Sequence, residues 1–235
     1  MQAVLFDWGD TLMEFVYSPE LVAAGHRAGL AAIGQDERPE LTEHFREEYE
    51  PLFWAPGTIE EIEYPGMIRQ ALAHFGIEIG DDELMRLLEA EHAAWEPARV
   101  LGSTTHALLE GLRDRGLKLG IVSNAFDPGW LLHRDLDQMG LAERLDVAVF
   151  SSEVGFRKPD RRIFERALQA LGVEPENALF VGDRLYEDIR GAAELGMTTV
   201  QALWFRADEH PEGGEPDHQA FTQFDVLNIA RRLLD

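Results

Sequence analysis

Ala3-Val4-Leu5-Phe6-Asp7-Trp8-Gly9-Asp10-Thr11 decides how this chain folds. Four apolar residues in succession, without helical spacing, read as a strand buried on both faces, and the polar run that follows at once reads as a loop. Further along, apolar runs recur at 119–122, 147–150 and 178–181, and a last strand is read at 198–202. Helical periods separate them, at 104–115, 130–139, 161–171 and 186–195, with Gly172 as a helix stop. Strands alternating with helices predict βαβ units and a parallel sheet whose ligands lie beyond the carboxyl ends of the strands. Residues 19–98 differ: Leu21, Ala24, Ala28, then Ile68, Leu72, Phe75, then Leu84, Leu87, Leu88 keep helical spacing, with no strand among them. The expectation is an α/β fold in two parts, a core built from residues 1–16 and 100–235 and a helical domain inserted at 17–99.

A chain of 235 residues, 45% hydrophobic, buries a sizeable core. Asp and Glu number 44 against 21 Lys and Arg, a formal charge of -23, which repels a phosphate backbone over most of the surface and argues against nucleic acid. The absence of cysteine excludes disulfides, thiolate metal sites and a cysteine nucleophile. The first apolar run is cut short by Asp7 and has no basic flank, so the expectation is a cytoplasmic protein with no membrane partner. The stretch 207–218, with His210 and His218, is acidic and rich in Pro and Gly, and reads as a surface loop.

The polar residues just after the predicted strands carry the chemistry. Asp7 follows the first, Ser123-Asn124 the second, and Gly182-Asp183 with Asp188 the fourth, while Lys158-Pro159 opens a helix after the third. All four groups converge on one sheet edge. Carboxylates gathered there repel one another unless a hard divalent cation sits between them, and Mg²⁺ suits carboxylate and carbonyl oxygens. A lysine, a hydroxyl, an amide and loop N–H groups beside that ion form a cradle for a phosphoryl group. A carboxylate directly after a buried strand is also placed to attack as a nucleophile.

These four groups, in this order, resemble the motifs of the haloacid dehalogenase superfamily. The first is similar to Phe6-Asp7-Trp8-Gly9-Asp10-Thr11, the second to Val122-Ser123-Asn124, the third to the lysine of Arg157-Lys158-Pro159, and the fourth to Gly182-Asp183 through Asp188. The resemblance implies a Rossmann-like core carrying a helical cap, and an Mg²⁺-dependent phosphohydrolase acting on a small organic phosphate through an aspartyl-phosphate. By the same resemblance Asp7 is the nucleophile, and Asp7, the Gly9 carbonyl and Asp183 hold Mg²⁺ with Asp188 close by. Ser123 and Asn124 bind the phosphoryl group, Thr11 braces the first loop, and Lys158 neutralises charge between Asp7 and the phosphate.

One position departs from the pattern. Phosphatases of this superfamily carry a second Asp two residues after the nucleophile, as general acid and base; here that residue is Gly9, and Asp10 stands one place further on. Loss of a positioned acid typically costs about 10²- to 10⁴-fold, so a rate that depends steeply on the leaving group is expected. A weakened member that only binds a phosphorylated metabolite is the alternative. The Schiff-base chemistry of the superfamily's phosphonatases needs a cap lysine, whereas the only lysines are Lys118 and Lys158. Its 2-haloacid dehalogenases usually carry an aromatic residue where Gly9 stands, and they need no metal, so that reading ranks lower. A substitute acid or a substrate contact is sought in the insert among Arg27, Arg46 and Arg69, His26 and His92, and Trp54, Tyr64 and Trp95.

Overall fold

The computed structural model describes residues 1–53, 57–205 and 213–234. Its core is a six-stranded parallel sheet. In chain order the strands of the molecule are β1 (Ala3–Phe6), β2 (Met13–Phe15), β3 (Arg99–Leu101), β4 (Lys118–Ser123), β5 (Val147–Phe150), β6 (Ala178–Gly182), β7 (Thr198–Ala202) and β8 (His218–Ala220). The large sheet runs β5-β4-β1-β6-β7-β8, while β2 and β3 form a separate antiparallel ribbon. β1 lies at the switch point of this order, where connections leave in opposite directions and a crevice opens beyond the strand ends.

The side-chain alternation of β1 explains its central place. Val4 and Phe6 enter one apolar layer with Ile121, Val181 and Leu108, while Ala3 and Leu5 enter the opposite layer with Val122, Phe180 and Phe164. With no polar face, the strand belongs where helices cover both sides of the sheet. Helices α6 (Thr105–Arg113), α7 (Gly129–Gln138) and α11 (Gln223–Leu234) cover the first layer, the short α8 (Ser151–Val154) follows β5, and α9 (Arg161–Leu171) with the short α10 (Gly191–Glu194) covers the second. Gly172 ends α9 in the left-handed region, as its position after the last periodic residue requires.

Between β2 and β3 the described residues form helices: α1 (Pro19–Ala32), α2 (Pro39–Glu48), α3 (Glu50–Phe53), α4 (Tyr64–His74) and α5 (Asp81–Ala94). They share an apolar centre that includes Leu30, Phe45, Tyr64, Leu72 and Leu88, and Leu131 of α7 reaches into it from the core. A second tie is a short antiparallel bridge. Glu61 N donates to Gly155 O at 3.0 Å and Arg157 N to Ile59 O at 2.8 Å, which fastens the insert to the segment leading into Lys158.

Three elements depart from the sequence expectation. The ribbon β2–β3 escapes periodicity because its strands are three residues each. The expected helix at 186–195 is a wide π-type turn, Leu185–Arg190, followed by α10. The expected loop at 207–218 ends in an edge strand, since His218 opens β8 and Asp217 accepts from Thr199 N at 2.9 Å; His210 and Trp54 lie outside the described residues.

Candidate active site

Parallel pairing brings the site together. Phe6 is in register with Ile121 on one side and Val181 on the other, so the next residues of the three strands emerge side by side. Asp7 N donates to Val181 O at 2.9 Å, which holds the first loop against β6. Oxygens of Asp7, Asp183 and Asp188 come within 4.8 Å of one another, and all three residues are buried. Lys158 Nζ lies 2.7 Å from Asp7 Oδ1 and 2.6 Å from Asp188 Oδ1.

The local backbone accounts for each carboxylate. The wide turn folds Asp188 back over the end of β6, where Asp188 Oδ2 accepts from Arg184 N at 2.9 Å. This arrangement requires glycine at 182, because a Cβ there would collide with the Asp188 carboxylate. Lys158 is held by Asn124, whose Oδ1 accepts from Lys158 N at 2.7 Å and whose Nδ2 donates to Lys158 O at 3.2 Å. The side chain expected to face a phosphoryl group thus spends both polar ends on the lysine backbone. Ser123 lines the crevice at the end of β4. Thr11 is fully buried, and its carbonyl accepts from Trp204 Nε1 at 2.8 Å, tying the first loop to the core.

Electrostatics favour a cation at this cluster. Burial first, then the charges of Asp188 and Asp7, push the Asp183 carboxyl well above the ordinary range. Burial raises Asp188 to about 6, with Lys158 opposing and Asp7 adding. Burial disfavours the Lys158 ammonium, but Asp188 and Asp7 outweigh it and hold the group charged. Lys158 and the Arg184 guanidinium set two positive charges against three buried carboxylates, and a hard divalent cation among their oxygens would relieve the remaining repulsion. The donor set fits Mg²⁺.

Position 9 is open: a Cβ built on Gly9 meets nothing within 4 Å. Asp10 does not take its place. Its backbone lies in the left-handed region (φ 54°), and its Oδ1 accepts from Phe15 N at 3.2 Å, so it ties the first loop to the end of β2.

Beyond Asp7 opens a cavity of about 210 Å³ with Gly9 and Ser123 at its floor. Of the insert residues named from sequence, His92 and Trp95 line it. His26 and Tyr64 are buried among the insert helices, and Arg27, Arg46 and Arg69 pair with Glu37, Glu50 and Asp81. The sequence reading did not single out Asp127, Asp135 and Arg99. His92 Nδ1 is 3.0 Å from Asp127 Oδ1, His92 Nε2 is 2.8 Å from Asp135 Oδ2, and Arg99 Nε is 3.1 Å from the same Asp135 oxygen. Burial disfavours the imidazolium, but Asp127 and Asp135 outweigh it and raise the His92 pKa. Asp127, three residues after Asn124 in an Asp-Pro-Gly turn, was the one member whose neighbourhood offered a signal.

Residues 1–196 match the haloacid dehalogenase-like hydrolases. The chain belongs to that family, and it is an enzyme of the hydrolase class. Over 92% of its length, and 92% of the relative's, it is 31% identical to a phosphoserine phosphatase of Thermus thermophilus. It is 29% identical to a glyceraldehyde 3-phosphate phosphatase of Methanopyrus kandleri, covering 99% of this chain and 98% of the other. A solved phosphatase of the family from Thermococcus onnurineus superposes with a TM-score of 0.66 at 25% identity, over 98% of each chain. No helix among the described residues is long and apolar enough to cross a membrane.

Proposed function

We propose that the protein is an Mg²⁺-dependent phosphomonoesterase that cleaves a small organic phosphate through an aspartyl-phosphate on Asp7. The observation that carries this reading is the convergence of Asp7, Asp183, Asp188 and Lys158 beyond the central strand. Asp7, the Gly9 carbonyl and Asp183 would hold Mg²⁺, with Asp188 beside it; the ion, when bound, supplies positive charge to the phosphoryl oxygens. An Asp7 carboxylate oxygen attacks phosphorus as the ester oxygen departs with its electron pair. Water then attacks the same phosphorus and the bond to Asp7 breaks, releasing phosphate. Lys158 neutralises charge between Asp7 and the phosphoryl group, Ser123 and the loop N–H groups after β4 contact its oxygens, and Asn124 positions Lys158 by the two hydrogen bonds to its backbone. The helical insert, as a cap over residues 17–99, closes the site above the leaving group.

The printed activities of the two full-length relatives support a small phosphorylated substrate. Gly9 favours a second reading, a weakened member that binds such a molecule without turning it over. Hydrolysis of p-nitrophenyl phosphate by the purified protein, with Mg²⁺ and after chelation, separates the two. Turnover that needs Mg²⁺ and is abolished in Asp7→Asn supports the enzyme; Mg²⁺-independent turnover, or turnover retained in Asp7→Asn, sinks the mechanism.

A further inference from the structure

We propose that the substrate is an aryl phosphate monoester whose ring lies against Phe15, Phe53 and Phe126 in the cavity before Asp7. The inference rests on the phosphomonoesterase reading and names its substrate class.

The first ground is the supply of protons. With glycine at position 9, and Oδ1 of the cavity-lining Asp10 taken by the Phe15 amide, the first loop has no acid two residues beyond Asp7. Lys158 is pinned between Asp7 and Asp188. Both ring nitrogens of His92 are committed to carboxylates, Nδ1 to Asp127 and Nε2 to Asp135, and Asp135 also faces Arg99. A leaving group must then depart as an anion. A phenolate does so far more readily than an alkoxide: the bond from phosphorus to the phenolic oxygen breaks, the pair stays on that oxygen, and its proton comes later from solvent.

The second ground is the wall. Phe15, Phe53 and Phe126 are half-buried with ring surface on the cavity, and the Phe53 and Phe126 centroids stand 4.7 Å apart at 48°. Such rings offer edges and faces to another ring and give a polyol no hydrogen-bond partner. The polar part of the wall is paired, His92 and Arg99 with Asp127 and Asp135, Arg157 with Glu61 and Arg184 with Glu187, so it does not call for a second anionic group. At about 210 Å³ the space is below the roughly 300–1,000 Å³ of drug-sized pockets, which limits the leaving group to about one ring.

The test compares kcat/KM of the full chain with Mg²⁺ for phenyl phosphate, acetyl phosphate, phosphoserine and glyceraldehyde 3-phosphate. Phenyl phosphate is expected to exceed the two alkyl phosphates by about 10²-fold or more, the span a positioned acid would have closed. Phenylphosphonate is expected to inhibit at least tenfold more tightly than methylphosphonate, a readout of the ring alone. Phe53→Leu should lower the ratio of phenyl to acetyl phosphate by roughly 2- to 10-fold; if its melting shows that it does not fold, Phe15→Leu, on the ribbon, is read in its place. Alkyl phosphates cleaved as fast as phenyl phosphate, or equal inhibition by the two phosphonates, overturn the inference and leave the phosphomonoesterase standing. If none of the four is hydrolysed, the phosphomonoesterase reading itself falls.

Discussion

Replacing Glu91 with glutamine should remove a loss of stability that the wild type suffers above neutral pH. Glu91 and His26 are buried in the insert, with His26 Nε2 and Glu91 Oε1 3.4 Å apart and His26 Nδ1 3.0 Å from Thr42 Oγ1. Burial raises the Glu91 carboxyl to about 8 and lowers the His26 imidazole to about 4, so at neutral pH the folded pair is an acid facing a neutral ring. Between about pH 4.5 and 6.5 each state, folded or unfolded, holds one proton on this pair, and the two contributions cancel. From about 6.5 to 8 the folded Glu91 keeps its proton while the unfolded chain has lost both. Stability then falls by about 1.4 kcal/mol per pH unit, or about 2 kcal/mol over the window. For a chain of this size that is about 4–8 °C in Tm. His92, raised by Asp127 and Asp135, loses stability in the same direction above 6.5, so the diagnostic is the difference between proteins. Circular-dichroism melts of wild type and Glu91→Gln at pH 5, 6.5 and 8 measure it. Equal slopes above pH 6.5 in the two proteins would refute the assignment of a protonated Glu91.

Two further outcomes follow from the strand ends. Asp183→Asn is expected to raise the Mg²⁺ concentration for half-maximal activity by at least tenfold, measured with p-nitrophenyl phosphate; an unchanged requirement would remove Asp183 from the metal set. Gly182→Ala should displace Asp188 from Lys158 and cost about 1–3 kcal/mol in urea melts, together with a loss of turnover, whereas a variant as stable and active as wild type would contradict the close contact.

The core sheet was legible because β1, β4 and β6 carry apolar runs that lead directly into Asp7, Ser123-Asn124 and Asp183. Asp7, Asp183 and Lys158 could be brought to one edge from strand order alone. Asp188 was legible by spacing, but the wide turn that delivers it was not, since six residues are too few to show a period. The ribbon was missed because Met13-Glu14-Phe15 and Arg99-Val100-Leu101 are too short to show a period and find each other across more than eighty residues. For the same reason the bond from the Phe15 amide to Asp10 was not legible. His92 was visible as a residue type, but its partners Asp127 and Asp135 belong to other elements, and only packing of the insert on α7 joins them.

The bridge between residues 59–61 and 155–157 bears on how such chains diversify. A foreign helical domain spliced onto the ribbon between Phe15 and Arg99 would arrive with its own partner for the lysine segment missing, and Lys158 would lose a neighbour that steadies its approach. Both bonds join main-chain groups, so an exchanged insert need only bring an extended segment of its own to lie beside residues 155–157, whatever its side chains.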